Sequence, residues 1–263
     1  MKIYCINLDR FSERFTRLQS LLAGSGLDLI RISALDGKRL RERQAPAQPR
    51  PQALPAKGTM LTRFEIGAVL SHRKAWRAFL RTSDTHALFI EDDVYFGEHF
   101  ARYLLSPAFE NTKFDIINLE TTNAPVVLRR GVVLPYDNRK LYEITTYHHG
   151  AGGYILSRAA AKRLLILSAG APDGIDTIIF NMARHREAGI VPFKQGQVSP
   201  ALIVQHVCHP NPPDNPLLNS YIGDRRGPRT ARTPMSFAKI RKELSRPFRK
   251  AWFKLNYKKI PFA

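Results

Sequence analysis

The chain has 263 residues, 44% of them hydrophobic, which is enough to bury one sizeable core and excludes wholesale disorder. Its 41 Lys and Arg against 22 Asp and Glu leave a formal charge of +19, which calls for an anionic partner: nucleic acid, acidic lipid or a phosphorylated substrate. Cys5 and Cys208 make neither a disulfide framework nor a zinc signature, and neither a secretory-type leader nor an apolar run of membrane-spanning length is evident, so the sequence predicts a cytoplasmic protein.

Lys2 to Leu8 (KIYCINL) reads as a central strand. Ser12 is placed to cap a helix with Phe15, Leu18, Leu21 and Leu22 on one face, ended by Gly24 and Gly26. Leu27 to Ile32 reads as a second strand, so the opening is a βαβ unit and implies a parallel sheet. The tip after the first strand carries Asn7, Asp9, Arg10 and Arg14, polar groups suited to a nucleotide or to an ordinary solvated loop. Residues 42–58 hold four prolines and little apolar periodicity, a loop or insertion and not a domain linker. Thr62 then opens a long helix with a capping box to Glu65. Gly67 inside it costs about 1 kcal/mol against Ala, which suggests a close packing partner there. Ser71 and His72 follow one turn later.

His86 to Ile90 is a short apolar strand that runs straight into Glu91, Asp92 and Asp93. Ligands of open α/β sheets collect at the carboxyl ends of strands. Three adjacent carboxylates need a positive partner there, such as a divalent cation carrying a phosphate ligand; an exposed acidic turn is the bland alternative. Strand alternation turns Glu91 and Asp93 to one side and Asp92 to the other. A helix with Phe96, Phe100, Tyr103 and Leu104, a strand from Phe114 to Leu119 ending at Glu120, and over 124–146 a hairpin around Gly131 with a turn at Pro135–Asn138 come next. A Gly-rich segment, Thr146 to Leu156, leads into another strand, then a helix over 158–167 and a second from about Pro172 to Ala188. Strands at Ile190–Phe193 and Ala201–Val204 close the α/β pattern, with His206 and His209 just beyond.

From Gly223 the character changes. Thirteen Lys and Arg face only Asp224 and Glu243, a net +11. Phe237, Ile240, Leu244, Phe248, Trp252 and Leu255 recur at helical spacing, broken by Pro247. A basic amphipathic helix with aromatic anchors fits an anionic membrane surface; its rivals are a nucleic-acid arm and a helix that packs back on the domain. The division is thus a domain over 1–222 and a basic tail over 223–263.

Several segments together resemble glycosyltransferase family 25. They are Ile6-Asn7-Leu8-Asp9-Arg10 with Arg14, Ala34-Leu35-Asp36-Gly37, Glu65-Ile66-Gly67-Ala68 with Leu70-Ser71-His72 and Trp76, Glu91-Asp92-Asp93, Gly152 to Ser157 with Ala160-Ala161, and Pro172 to Asp176. Ala68 stands where that family usually has Cys, and Gly174 looks inserted. The resemblance covers roughly residues 1–205. It implies a GT-A fold, an α/β nucleotide-sugar-binding sandwich with a mostly parallel sheet. The implied reaction is inverting transfer of a sugar, by default galactose from UDP-galactose, to a lipooligosaccharide-type, lipid-linked acceptor at the inner face of the inner membrane. Mn²⁺ or Mg²⁺ would sit on Glu91 and Asp93, with His206 as a third ligand. Asn7, Asp9, Arg10, Arg14, Ser71, His72 and Asp92 would face the donor. Gly152 and Tyr154 would shape the acceptor side, and Asp176, with Glu120 as competitor, would act as the base. The competing function is a nucleic-acid-binding or nuclease-like protein. Concentration of charge in the tail, away from the carboxylates, favours the transferase, with no nucleic acid expected as partner.

Overall fold

A computed structural model describes residues 1–40, 54–55, 61–109, 111–218 and 257–263. Most of the Pro-rich segment 42–58 and the basic stretch 223–256, with its expected amphipathic helix, lie outside the described residues.

The opening unit forms as its pattern dictates. Strand β1 (Ile3–Asn7) is buried throughout, helix α1 (Ser12–Leu21) follows, and β2 (Leu29–Ser33) pairs parallel to β1. Ser12 starts α1 but does not cap it, because a 3₁₀ turn over Asp9–Phe11 runs directly into the helix. Helix α2 (Arg63–Leu80) carries the full capping box: Thr62 Oγ1 accepts from Glu65 N at 3.2 Å, and Glu65 Oε2 accepts from Thr62 N at 2.8 Å. Such a cap is worth about 1 kcal/mol. Strand β3 (His86–Glu91) pairs parallel to β1 on its other side.

Two short elements replace the helix expected around Phe96. Strand β4 (Val94–Phe96) takes that residue, and α3 (Phe100–Leu105) begins beyond His99. The run from Phe114 splits into β5 (Ile116–Asn118) and β6 (Glu120–Thr121). The hairpin consists of β7 (Val126–Val133) and β8 (Lys140–Ile144). Its turn lies beyond Val133, while Gly131 marks a register shift inside β7, where a Cβ would come within 2.6 Å of the Tyr142 ring. Strand β9 (Gly153–Ser157) leads into α4 (Arg158–Leu167), capped by Ser157. The expected helix over 172–188 is two helices, α5 (Ile175–Phe180) and α6 (Met182–Glu187). Asn181 leaves helical geometry between them, and its Oδ1 accepts from Arg184 N at 2.9 Å, capping the second. No strand forms at 190–193; the chain enters the sheet at β10 (Gln195–Ser199) and then β11 (Ile203–Gln205).

The large sheet runs β12-β7-β8-β10-β5-β9-β3-β1-β2, where β12 (Tyr257–Lys258) is antiparallel to β7. In its centre β2, β1, β3, β5 and β10 share one direction, and β9 opposes both β3 and β5. The fold is therefore a mixed α/β arrangement around a large, mostly parallel sheet, as the sequence predicts. Alternation along β1 and β3 separates two cores. Tyr4, Phe89, Trp76 and Phe79 fill the face under α2 and α4; Ile3, Cys5, Leu88 and Ile90 fill the face toward α1 and α3. Each such fully buried side chain contributes roughly 1.5–3 kcal/mol by its transfer from water. A second sheet, β4-β11-β6, lies at the carboxyl ends of the large one. Residues 257–263, counted with the tail by composition, pack on the domain. Ile260 is buried, its carbonyl accepts from Thr121 Oγ1 at 2.7 Å, and Ala201 N donates to Pro261 O at 2.7 Å.

The cost of Gly67 has a visible cause. A Cβ there would stand 2.8 Å from Leu35 O, and one at Gly37 would stand 2.7 Å from Arg63 O. Two glycines thus let the loop after β2 lie against the first turns of α2. Gly-to-Ala inside a helix normally stabilises by about 1 kcal/mol. Here Gly67→Ala is expected to destabilise by roughly 1–3 kcal/mol, the usual range for overpacking against backbone that cannot yield. Urea unfolding of the two proteins reads the sign directly.

Candidate active site

The carboxyl ends of β1 and β3, the 34–37 loop and the first half of α2 line an open cleft. Its acidic edge is the end of β3. Glu91 is the last strand residue, Asp92 and Asp93 form the turn, and Val94 begins β4. The three carboxylates part company there. Asp92 turns toward β1 and α1, where Asn7 Nδ2 donates to it at 2.7 Å and the Arg14 guanidinium at 3.0 Å. Glu91 and Asp93 instead share one donor: Gln205 Nε2, at the end of β11, lies 2.6 Å from Glu91 Oε2 and 3.3 Å from Asp93 Oδ1.

The electrostatics follow from this geometry. Burial, then the neighbouring charges of Glu91 and Asp92, push the Asp93 carboxyl up to about 7. Burial also raises Asp92, against the pull of Arg14. Glu120, fully buried at the start of β6, is raised well above the ordinary carboxylate range by burial and by the charge of Glu91. Its Oε2 accepts from Gly152 N at 2.7 Å, while its buried Oε1 has no hydrogen-bond partner among the described residues. A Cβ on Gly152 would meet Gln205 Cγ at 2.6 Å and Glu120 Oε1 at 2.9 Å, so glycine there lets both polar side chains close in.

Glu120 yields a pH test. Its folded pKa lies above its unfolded value, so between about pH 4.5 and the folded pKa the native state holds a proton that the unfolded chain has released. Stability therefore falls as pH rises through that window, by about 1.4 kcal/mol per pH unit for a full proton. Glu120→Gln keeps an acceptor for Gly152 N and removes the titration. Denaturant unfolding between pH 5 and 7 should show a shallower decline than the parent; an unchanged slope would mean that Glu120 is ionised.

The donor-side candidates are mostly held by neighbours. Arg14 is 7% exposed, bonded to Asp92 and to Leu217 O, with its guanidinium 4.5 Å from the Phe11 ring centre. Arg10 pairs with Asp36 across the cleft mouth. Asp9 is exposed and engaged by Arg31 at 2.8 Å and Ser33 at 2.9 Å. Ser71 lines the cleft but spends its hydroxyl on structure, donating to Gly67 O at 2.6 Å and accepting from Leu35 N at 2.8 Å. Asp176 lies in the first turn of α5, half-buried, taking Tyr147 OH on Oδ2 at 2.6 Å and Thr177 N on Oδ1 at 2.8 Å.

Two expectations need correction. Tyr154 cannot face an acceptor: it is fully buried, stacked between Phe89 and His72, and its hydroxyl is shared by Trp76 and His72. His206 does not join Glu91 and Asp93. Its ring nitrogen lies 3.1 Å from Tyr95 OH, and only its backbone N–H reaches Asp93 O, at 2.8 Å. Among the described residues no three His, Cys, Asp or Glu side chains converge to hold a metal alone. Gln205, the residue before His206, occupies the position expected of it. The resemblance implies His206 as the third ligand, and nothing in the sequence singles out Gln205, because the strand expected there ends at Val204 and the observed one runs to Gln205.

Glu91 and Asp93 nevertheless suit a divalent cation. Gln205 Nε2 draws the two carboxylates together, and burial and the charge of Glu91 lift the Asp93 pKa, so a cation placed between them would relieve crowded negative charge. Hard cations such as Mg²⁺ are commonly held by one or two carboxylates, with water and phosphate oxygens completing the shell.

Fold and site together define an α/β protein with an acidic, arginine-flanked cleft at the carboxyl ends of its strands, the place where such sheets bind nucleotide-bearing ligands. Residues 1–179 match the model of glycosyltransferase family 25, described as LPS biosynthesis protein, and the chain belongs to that family. Among curated relatives, the lacto-N-neotetraose biosynthesis glycosyltransferase LgtE of Neisseria gonorrhoeae is 29% identical over 217 residues, covering 79% of this chain and 75% of its own. The lipooligosaccharide biosynthesis protein lex-1 of Haemophilus influenzae is 30% identical over 158 residues, 56% of this chain and 51% of its own. A solved glycosyltransferase involved in glycosylation of the major capsid of PBCV-1 aligns over 79% of this chain and 93% of its own, at 12% identity and a TM-score of 0.42. No helix among the described residues is long and apolar enough to cross a membrane.

Proposed function

We propose that this glycosyltransferase moves a hexose, by default galactose from UDP-galactose, onto a lipooligosaccharide- or lipopolysaccharide-type acceptor, with inversion at the anomeric carbon. The observation that carries this reading is the pairing of Glu91 and Asp93 on Gln205 in a cleft that Arg10 and Arg14 flank. A GT-A arrangement belongs to the reading, supported by the acidic motif at the end of a central parallel strand. Glu91 and Asp93 would hold Mn²⁺ or Mg²⁺, which neutralises charge on the departing nucleoside diphosphate.

The chain's own groups do the rest. Arg14, oriented by Asp92 and Leu217, presents cationic N–H groups to the diphosphate side. Asp176 serves as base: the acceptor oxygen attacks the anomeric carbon, the carbon–oxygen bond to the diphosphate breaks, and the acceptor proton passes to Asp176. Glu120 is the weaker candidate, because burial keeps its carboxyl protonated well above the usual range and a protonated carboxyl takes no proton. Asp176 is near enough for its charge to contribute to that shift. The basic tail, 223–263, would hold the enzyme at the anionic inner face of the inner membrane, where a lipid-linked acceptor resides.

The test is turnover or slow hydrolysis of individual UDP-sugars by the purified protein, with and without Mn²⁺. One sugar consumed only with metal supports the reading and names the donor. No turnover of any UDP-sugar, with no metal-dependent UDP binding by calorimetry, would overturn it.

A further inference from the structure

A line of buried polar groups runs beneath the acidic edge, from the interior of α2 to Glu91. Trp76 Nε1 lies 3.0 Å from Tyr154 OH, Tyr154 OH lies 2.7 Å from His72 Nδ1, and His72 Nε2 lies 3.5 Å from Glu91 Oε1. Trp76, Tyr154 and His72 are each no more than 1% exposed, so no solvent competes for the two contacts among them, while Glu91 at the far end opens to the cleft. Donor and acceptor chemistry fixes their direction. An indole N–H only donates, so the Tyr154 oxygen accepts from Trp76. The Tyr154 proton then has His72 Nδ1 as its short contact, which makes Nδ1 the acceptor. The ring proton of His72 must sit on Nε2, the nitrogen that faces Glu91.

We propose that Trp76, Tyr154 and His72 form a relay that fixes the Nε2–H tautomer of His72 and aims that N–H at Glu91, making His72 and Tyr154 positioning residues for this carboxylate. The inference rests on the reading of Glu91 as a group that meets the donor or its cation. Glu91 is then steadied on both oxygens, Oε1 by His72 from α2 and Oε2 by Gln205 from β11. The two nitrogens hold the carboxylate from opposite elements and so orient it toward a cation in the cleft. Supporting partners of this kind are worth about 10–100-fold in metal affinity or activity. The relay also explains why a histidine on the cleft wall stacks on a tyrosine and not on open solvent.

The relay is tested first without any ligand. In protein labelled with ¹⁵N at histidine, the His72 ring should show an unprotonated Nδ1 and a protonated Nε2. Tyr154→Phe, which keeps the ring packing, should shift that pattern, while His72 of the parent stays fixed. The second measurement is calorimetry of Mn²⁺ with UDP: Tyr154→Phe and His72→Leu should bind about 10-fold more weakly. His72→Gln, whose amide still offers an N–H, should recover most of the loss; a purely structural role would give no such rescue. A His72 ring protonated at Nδ1, or a Tyr154→Phe spectrum identical to the parent, overturns the relay. Parent protein that binds no nucleotide would sink the functional reading, and the ring-nitrogen shifts would then decide the relay alone.

Discussion

Asp93→Asn should abolish metal-dependent nucleotide binding and sugar transfer while leaving the fold at least as stable as the parent. Loss of a supporting partner already costs up to about 100-fold in metal affinity, so loss of a direct carboxylate should cost at least that. Stability moves the other way, because Asp93 is 6% exposed, with Glu91 and Asp92 as immediate like-charged neighbours. Removing one of three crowded carboxylates relieves repulsion that Gln205 and Arg14 offset in part and a bound cation would offset further, an exchange of stability for function common at active sites. Thermal unfolding reads both halves. Mn²⁺ with UDP should raise the parent Tm by preferential binding to the native state and leave the variant's unchanged. A variant that still gains stability from Mn²⁺ and UDP would exclude Asp93 as a ligand.

The adjacent acid should behave in the opposite manner. Asp92→Ala is expected to destabilise by roughly 3–5 kcal/mol, because it leaves Arg14 buried without its carboxylate and Asn7 Nδ2 without its 2.7 Å acceptor. At roughly 2–4 °C per kcal/mol for a chain near this size, that is a fall in Tm on the order of 10 °C. Asp92→Asn should cost much less. Its side-chain oxygen still accepts from Arg14, and the burial penalty that raises the Asp92 pKa disappears with the charge. If Asp92→Ala unfolds at the parent's temperature, the Asn7–Asp92–Arg14 cluster is not what joins β1 and α1 to the acidic turn.

Much of this arrangement is legible in the sequence. The βαβ opening, the capping box on α2 and the acidic end of β3 each rest on local pattern, and local pattern survives folding. Gly67 advertised a close neighbour through its helix cost alone, and Leu35 O is that neighbour. What sequence could not show is which side chains meet across long separations. Gln205 and Glu91 are 114 residues apart, and nothing in either neighbourhood favours a glutamine over the adjacent histidine. The resemblance implies an acceptor-side place for Tyr154; β9 is an interior strand, and its alternation turns the ring into the core. The helix expected over 172–188 failed at one residue, Asn181, whose side chain competes for backbone N–H groups.

The small sheet has a consequence for the order in which the molecule assembles. β1 and β2 lie close in sequence and can pair early. The small sheet and its surroundings, by contrast, are closed by contacts spanning 112 residues between Asp93 and Gln205 and 139 between Thr121 and Ile260. Each such closure must first overcome the entropy of a long loop, which places it late in folding. A refolding chain should therefore protect the amides of β1 and β3 from exchange before those of β6 and β11. Until residues 257–263 have docked, the large sheet lacks its β12 edge and the small sheet lacks the bonds that Thr121 and Ala201 make to Ile260 and Pro261.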